Sequence, residues 1–142
     1  MSRVGLQLGT NTLDLSAAAA AATRRAELQI SDIAHIVLCA DYRSFVKTYL
    51  QMRNLNFSDF SRAANCTRAF TNQVLSNKRR LTAKSVYTFE QAFKLPVNAK
   101  KIFRLLVAKE EVDLFPEMDR SNLENQIKKL QMSIESKAHK DL

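Results

Sequence analysis

Glycine, proline, tryptophan, cysteine and histidine are all scarce in this 142-residue chain, and each shortage removes a class of structure or chemistry. With two glycines and two prolines, the tight turns that hairpins depend on are hard to build, so the composition argues against sheets and for helices. Cys39 and Cys66 stand apart from each other, and neither has a second thiol or a histidine at metal-ligand spacing. That argues against a metal site, and a reducing cytoplasmic compartment suits two buried free thiols. No segment approaches about eighteen uninterrupted apolar residues, so no membrane span is expected. The N-terminus lacks the hydrophobic run of a signal peptide, and the expected location is cytoplasmic. There is no phosphate-binding glycine loop, the acidic residues are scattered, and the histidines and cysteines make no catalytic spacing. No catalytic residues and no cofactor are therefore expected, and the lone His35 reads as structural.

What is present is helix-forming and basic. Hydrophobic residues make up 46% of the chain, enough for a real core, and the expected fold class is all-α. The net charge of +8 is unevenly spread. Residues 41–109 hold fourteen Lys/Arg against three Asp/Glu, a local balance of +11, whereas residues 110–142 hold five basic and eight acidic residues. A concentrated positive charge is the electrostatic footprint of a nucleic-acid-binding surface, although a solvated basic face alone is a weak signal.

The most informative stretch runs from Phe57 to Leu81, FSDFSRAANCTRAFTNQVLSNKRRL. Phe60 and Ala64 share one face of a first short helix, and Ser61 is small enough to let a second helix cross closely. Asn65 ends that helix, since asparagine tolerates the left-handed backbone of a helix terminus. Thr67 caps the next one, which covers about Arg68 to Ser76 with Phe70, Val74 and Leu75 inward. Arg68, Ala69, Asn72 and Gln73 are left outside. Arginine pairs bidentately with guanine, asparagine and glutamine pair with adenine, and a small methyl side chain approaches thymine, so these four are the candidate base-reading residues. Lys78, Arg79 and Arg80 follow as candidate phosphate ligands, joined by Thr67 and by Ser58, which is expected to cap the first helix with its N–H groups facing an anion.

This layout resembles the helix-turn-helix of lambda-repressor-like bacterial regulators, which implies a compact five-helix domain whose second and third helices form the reading unit. A closer resemblance runs from about Asp41 to Val107. The segments DYRSFVKTY, FSDFSRAA, LSNKRRLT and IFRLLV are similar to a bacterial family of transcriptional regulators whose members are largely uncharacterised. Those members are much longer and carry a large second domain that this chain has no room for. Asn65 and Asn77 stand where glycine is common in the family. Thr71 stands where an aliphatic core residue is common, and Phe70 is expected to swing in to fill the space.

Around that unit the chain divides into three parts: an N-terminal extension at 1–40, the helix-turn-helix domain at 41–109, and an acidic linker with an amphipathic helix at 110–142. In the extension, Ser16 caps an alanine tract, Ala17–Ala22, that favours a helix running to about Gln29. Ile33 to Leu38 suits a packed helix or a buried connector. Asp41 caps a helix over Tyr42–Arg53 whose apolar face is Tyr42, Phe45, Val46, Tyr49, Leu50 and Met52. Thr82 caps a helix that ends before Leu95-Pro96. Asn98 caps another, from Ala99 to about Lys109, with an apolar surface wide enough for burial on two sides. In the tail, Ser121 and Glu124 form a capping box ahead of a stripe of Leu123, Ile127, Leu130 and Ile134. That stripe is the expected dimer contact, with the N-terminal extension as its rival and a monomer whose ends fold back as the simpler alternative.

These features predict a non-enzymatic, sequence-specific regulator that binds double-stranded DNA as a homodimer. The alternative from another class is a protein-interaction module built on the same helices, its basic surface incidental. RNA binding is disfavoured, because a reading helix fits the major groove of DNA better than the deep, narrow one of A-form RNA.

Overall fold

A computed structural model describes residues 28–140, so the alanine tract and the helix expected over it fall almost wholly outside the described residues. Among those residues the elements are all helical: α1 Ile30–Val37, α2 Tyr42–Arg53, α3 Phe57–Ala63, α4 Arg68–Leu75, α5 Ala83–Ala92, α6 Val97–Glu110, a 3-10 turn Arg120–Asn122, and α7 Leu123–Lys140. The fold class is all-α, as the composition predicts.

Helix starts follow local side-chain chemistry. Asp41, Thr67 and Thr82 each accept a hydrogen bond from the backbone N–H of the third residue on, so the three expected caps at α2, α4 and α5 form. Three other starts correct the expectation. Asn56, not Ser58, caps α3, its Oδ1 accepting from the Asp59 N–H at 2.8 Å, which leaves Ser58 inside the first turn. Pro96, not Asn98, precedes α6; its ring holds φ near the helical value and it has no N–H to leave unpaired. The capping box at Ser121 does not form. The N–H and hydroxyl of Ser121 both donate to Asp119 Oδ1, at 3.0 and 2.7 Å, and Glu124 reaches Lys109 at 3.0 Å instead. A carboxylate two residues upstream is the stronger acceptor.

The ends of α2, α3 and α4 share one device. Both glycines of the chain lie before residue 10, so the left-handed positions fall to Asn54, Asn65 and Asn77, at φ 54°, 55° and 63°. After each, the next residue's N–H turns back on the helix just left: Leu55 to Leu50, Cys66 to Ser61 and Lys78 to Gln73, at 2.9, 2.9 and 2.8 Å. This Schellman closure satisfies carbonyls that would otherwise be orphaned. Asn65 and Asn77 act as expected, and Asn54 is a third instance.

The core is built of aromatic rings around α6. Phe103 lies 4.9 Å from Phe93 and 5.5 Å from Phe45, Tyr49 lies 4.9 Å from Phe93, and Phe60 lies 5.0 Å from Phe89, mostly in edge-to-face contact. Such pairs add about 0.5–1.5 kcal/mol each beyond their buried area. Met52 is only half-buried; the buried residue at that end of α2 is Arg53, whose guanidinium donates to the Tyr49 hydroxyl at 3.1 Å. α6 is buried on two sides, with α2 and α5 against one and α1 and α7 against the other.

The tail stripe supplies that second cover. Leu123, Ile127 and Ile134 are buried and Leu130 is half-buried, while Gln131 Nε2 donates to the Val37 carbonyl at 2.8 Å. Of the four residues expected to meet a second copy, Leu123, Ile127 and Ile134 are therefore buried within one chain and Leu130 is half-buried. A tethered helix reaches an apolar face at a far higher effective concentration than a separate molecule does.

Replacing Ile127 with aspartate should consequently unfold rather than dissociate. It removes about 1.5–3 kcal/mol of side-chain burial and places a carboxylate among apolar groups. Met132→Asp, on the exposed side of α7, should stay within about 0.5 kcal/mol of the parent. Urea midpoints for the two variants check this, and equal midpoints would contradict the packing of α7.

Candidate nucleic-acid interface

Neither α3, with seven residues, nor α4, with eight, is long enough to persist alone. What fixes them is their crossing. Ser61 and Thr71 are both buried where the helices meet, and their hydroxyl oxygens lie 2.6 Å apart in a hydrogen bond. A small residue on each helix permits the close approach, and the two hydroxyls satisfy each other. This corrects the expectation for Phe70. Thr71 fills the core position itself, so Phe70 remains half-buried, its ring centroid 6.4 Å from that of Phe89 in an edge-to-face contact and the Arg79 guanidinium 5.4 Å from its centroid. Cys66 is half-buried rather than buried, its Sγ 3.4 Å from Thr71 Oγ1, and both cysteines are free.

With Thr71, Val74 and Leu75 inward, the opposite face of α4 is left to solvent. Arg68, Ala69 and Asn72 are exposed and, with Phe57 of α3, border one shallow hollow. Gln73 is half-buried and lies outside that hollow. Thr67 is exposed, and its oxygen is used as the cap of α4. Ser58 sits in the first turn of α3 beside Asp59, whose carboxylate pairs with Arg62 at 3.6 Å. A negative group already at that helix start disfavours a phosphate there.

The basic strip does not act as three equal cations. Lys78 is exposed, and Arg79 lies over the Phe70 ring. Arg80 turns away, pairing through Nε with Glu111 at 3.2 Å and through Nη2 with Asp113. The hydrogen bond from Arg80 holds the Asp113 carboxyl below its ordinary range. A depressed value means that this contact adds stability at neutral pH, which is lost as pH falls through the carboxylate range.

Two further groups position α4 and carry no local sequence signal. Arg43 Nε donates to the Val74 carbonyl at 2.8 Å, tying the start of α2 to the last turn of α4. Glu110, at the end of α6, accepts from the Tyr42 N–H at 3.0 Å and lies 3.6 Å from the Arg43 guanidinium. Burial raises the Glu110 carboxyl above its usual range, and the Tyr42 N–H opposes that rise. Burial likewise pushes the Tyr42 hydroxyl up to about 12, against the pull of Arg43, so it remains a donor to Glu111 Oε2 at 3.3 Å. Such long-range pairs appear only once α2, α4 and α6 are packed.

Among the described residues no group of three His, Cys, Asp or Glu side chains is arranged to hold a metal ion, and no helix is long and apolar enough to cross a membrane. His35 is exposed in the last turn of α1.

The Ser61–Thr71 contact should behave as a unit. Thr71→Val strands a buried hydroxyl on Ser61 and should cost about 1–3 kcal/mol, while adding Ser61→Ala should recover part of that loss. Chemical denaturation of both singles and the double checks the coupling; simple additivity would mean the bond does not set the crossing.

Compared with known protein families, with curated proteins and with solved structures, the chain matches none.

Proposed function

We propose that the protein is a sequence-specific regulator of transcription that binds double-stranded DNA, with α4 entering the major groove in the manner of lambda-repressor-like helix-turn-helix domains. The observation that carries the reading is the outward face of α4. Arg68, Ala69 and Asn72 are exposed together on a helix whose other face is locked into the core, and these are side-chain types suited to base edges. Lys78 and Arg79 flank that face as phosphate ligands, within a region whose charge balance is +11. Thr67 retains a hydroxyl proton to donate to a phosphate, and Ser58 contributes least because of Asp59. Gln73 reads bases only by swinging out from its half-buried place.

A single reading helix spans few base pairs, so the reading includes two copies on half-sites roughly 34–36 Å apart. Since Leu123, Ile127 and Ile134 are buried within the chain, a homodimer would use a different surface or form only on DNA. The protein-interaction alternative predicts no complex with duplex DNA at all.

Mobility shifts against genomic fragments, repeated over a salt series, test this. The complex should weaken steeply as salt rises, because bound phosphates release counterions. Arg68→Ala or Asn72→Ala should relax preference at one or two positions, each worth about 1–3 kcal/mol. Lys78→Ala and Arg79→Ala should weaken all sequences alike and flatten the salt slope by about 0.9 each. If Arg79→Ala shifts the preferred sequence while Arg68→Ala does not, the orientation of α4 is wrong.

A further inference from the structure

Arg80 continues the basic strip directly after Lys78 and Arg79, yet its guanidinium is directed at two carboxylates supplied from beyond the end of α6. Glu111 caps that helix and is largely shielded, with 13% of its side chain exposed, while Asp113 is 66% exposed. Glu111 is itself held, since its Oε2 also accepts from the buried Tyr42 hydroxyl at 3.3 Å. The segment carrying these acids is fastened at its far end as well. Arg120 donates to the Ala108 carbonyl at 2.8 Å, and Glu124 of α7 pairs with Lys109 of α6 at 3.0 Å. The carboxylates are thus held beside Arg80 by the end of α6 and the Tyr42 hydroxyl, and the segment beyond them is fastened by Arg120.

We propose that Glu111 and Asp113 form a built-in acidic competitor that occupies Arg80 and so limits the affinity of the adjacent α4 face for DNA. The proposal rests on the DNA-binding reading above and adds to it a restraint supplied by the segment between α6 and α7. A guanidinium shared between two carboxylates has its charge offset and its donors engaged, so a phosphate gains it only by displacing them. Anything that draws residues 111–113 away from Arg80 frees a third cation next to Lys78 and Arg79.

The test compares the full chain with Glu111→Gln/Asp113→Asn and with the exposed single variant Asp113→Asn, each with Arg80 intact or replaced by alanine. Duplex DNA binding is measured across a salt series, and thermal melts confirm that each variant is folded. With Arg80 intact, the double variant should bind several-fold tighter, with a salt slope steeper by about 0.9, the value for one added phosphate contact. Asp113→Asn should show the same change in smaller measure. In the Arg80→Ala background the gain should vanish, and Arg80→Ala alone should alter binding less than Arg79→Ala does. Unchanged affinity in both carboxylate variants, or a gain that persists without Arg80, overturns the competitor and leaves the DNA reading standing. No binding by any form at low salt overturns the DNA reading and the competitor together.

Discussion

An eight-residue helix has too few internal hydrogen bonds to persist in water, so α4 exists only because one of its faces is held. Thr71, Val74 and Leu75 supply that face, and the Ser61–Thr71 hydroxyl pair sets how closely α3 approaches. The rest follows from this constraint. Residues one step around the helix, Arg68, Ala69 and Asn72, are forced outward together, and Arg43 fastens the last turn by its bond to the Val74 carbonyl. A polar outer face is a by-product of burying the other face, and its precision depends on a core with no freedom to shift. The packed rings of Phe60, Phe89, Phe93 and Phe103 provide that rigidity.

Charge is distributed on a second principle. The basic surplus of residues 41–109 is offset by acids placed at the end of α6 and just after it. Glu110 serves Arg43 and the Tyr42 N–H, Glu111 serves Arg80 and the Tyr42 hydroxyl, and Asp113 completes the Arg80 pair. None of these pairs is deeply buried, so each contributes little to stability by itself. Their consequence is positional. They decide which cations of the basic region stay available and which are engaged within the chain.

Local signals in the sequence proved readable where a single side chain decides the outcome. Asp41, Thr67 and Thr82 cap because nothing nearby competes for their N–H partners, and Asn65 and Asn77 take left-handed backbone because no glycine is at hand. Ser121 misled because Asp119, a stronger acceptor, lies two residues away. Ser58 misled because Asn56 starts the helix two residues earlier, its Oδ1 accepting from the Asp59 N–H. The α7 stripe was legible as apolar and destined for burial, but periodicity cannot say whether the partner is another copy or the same chain. The outward position of Arg68, Ala69 and Asn72 was legible from helical spacing, whereas Gln73, expected beside them, is half-buried. The turning away of Arg80 was not, since it depends on Glu111 and Asp113, which lie more than thirty residues on.

The central claim, that the outward face of α4 meets duplex DNA, is tested most directly by backbone amide chemical shifts of the labelled protein as a selected genomic duplex is added. The account predicts that the largest changes fall on Thr67 to Gln73 and on Lys78 and Arg79, with α1 and the exposed side of α7 little affected. Changes centred on α1 or α7, or none under low-salt conditions, would contradict it.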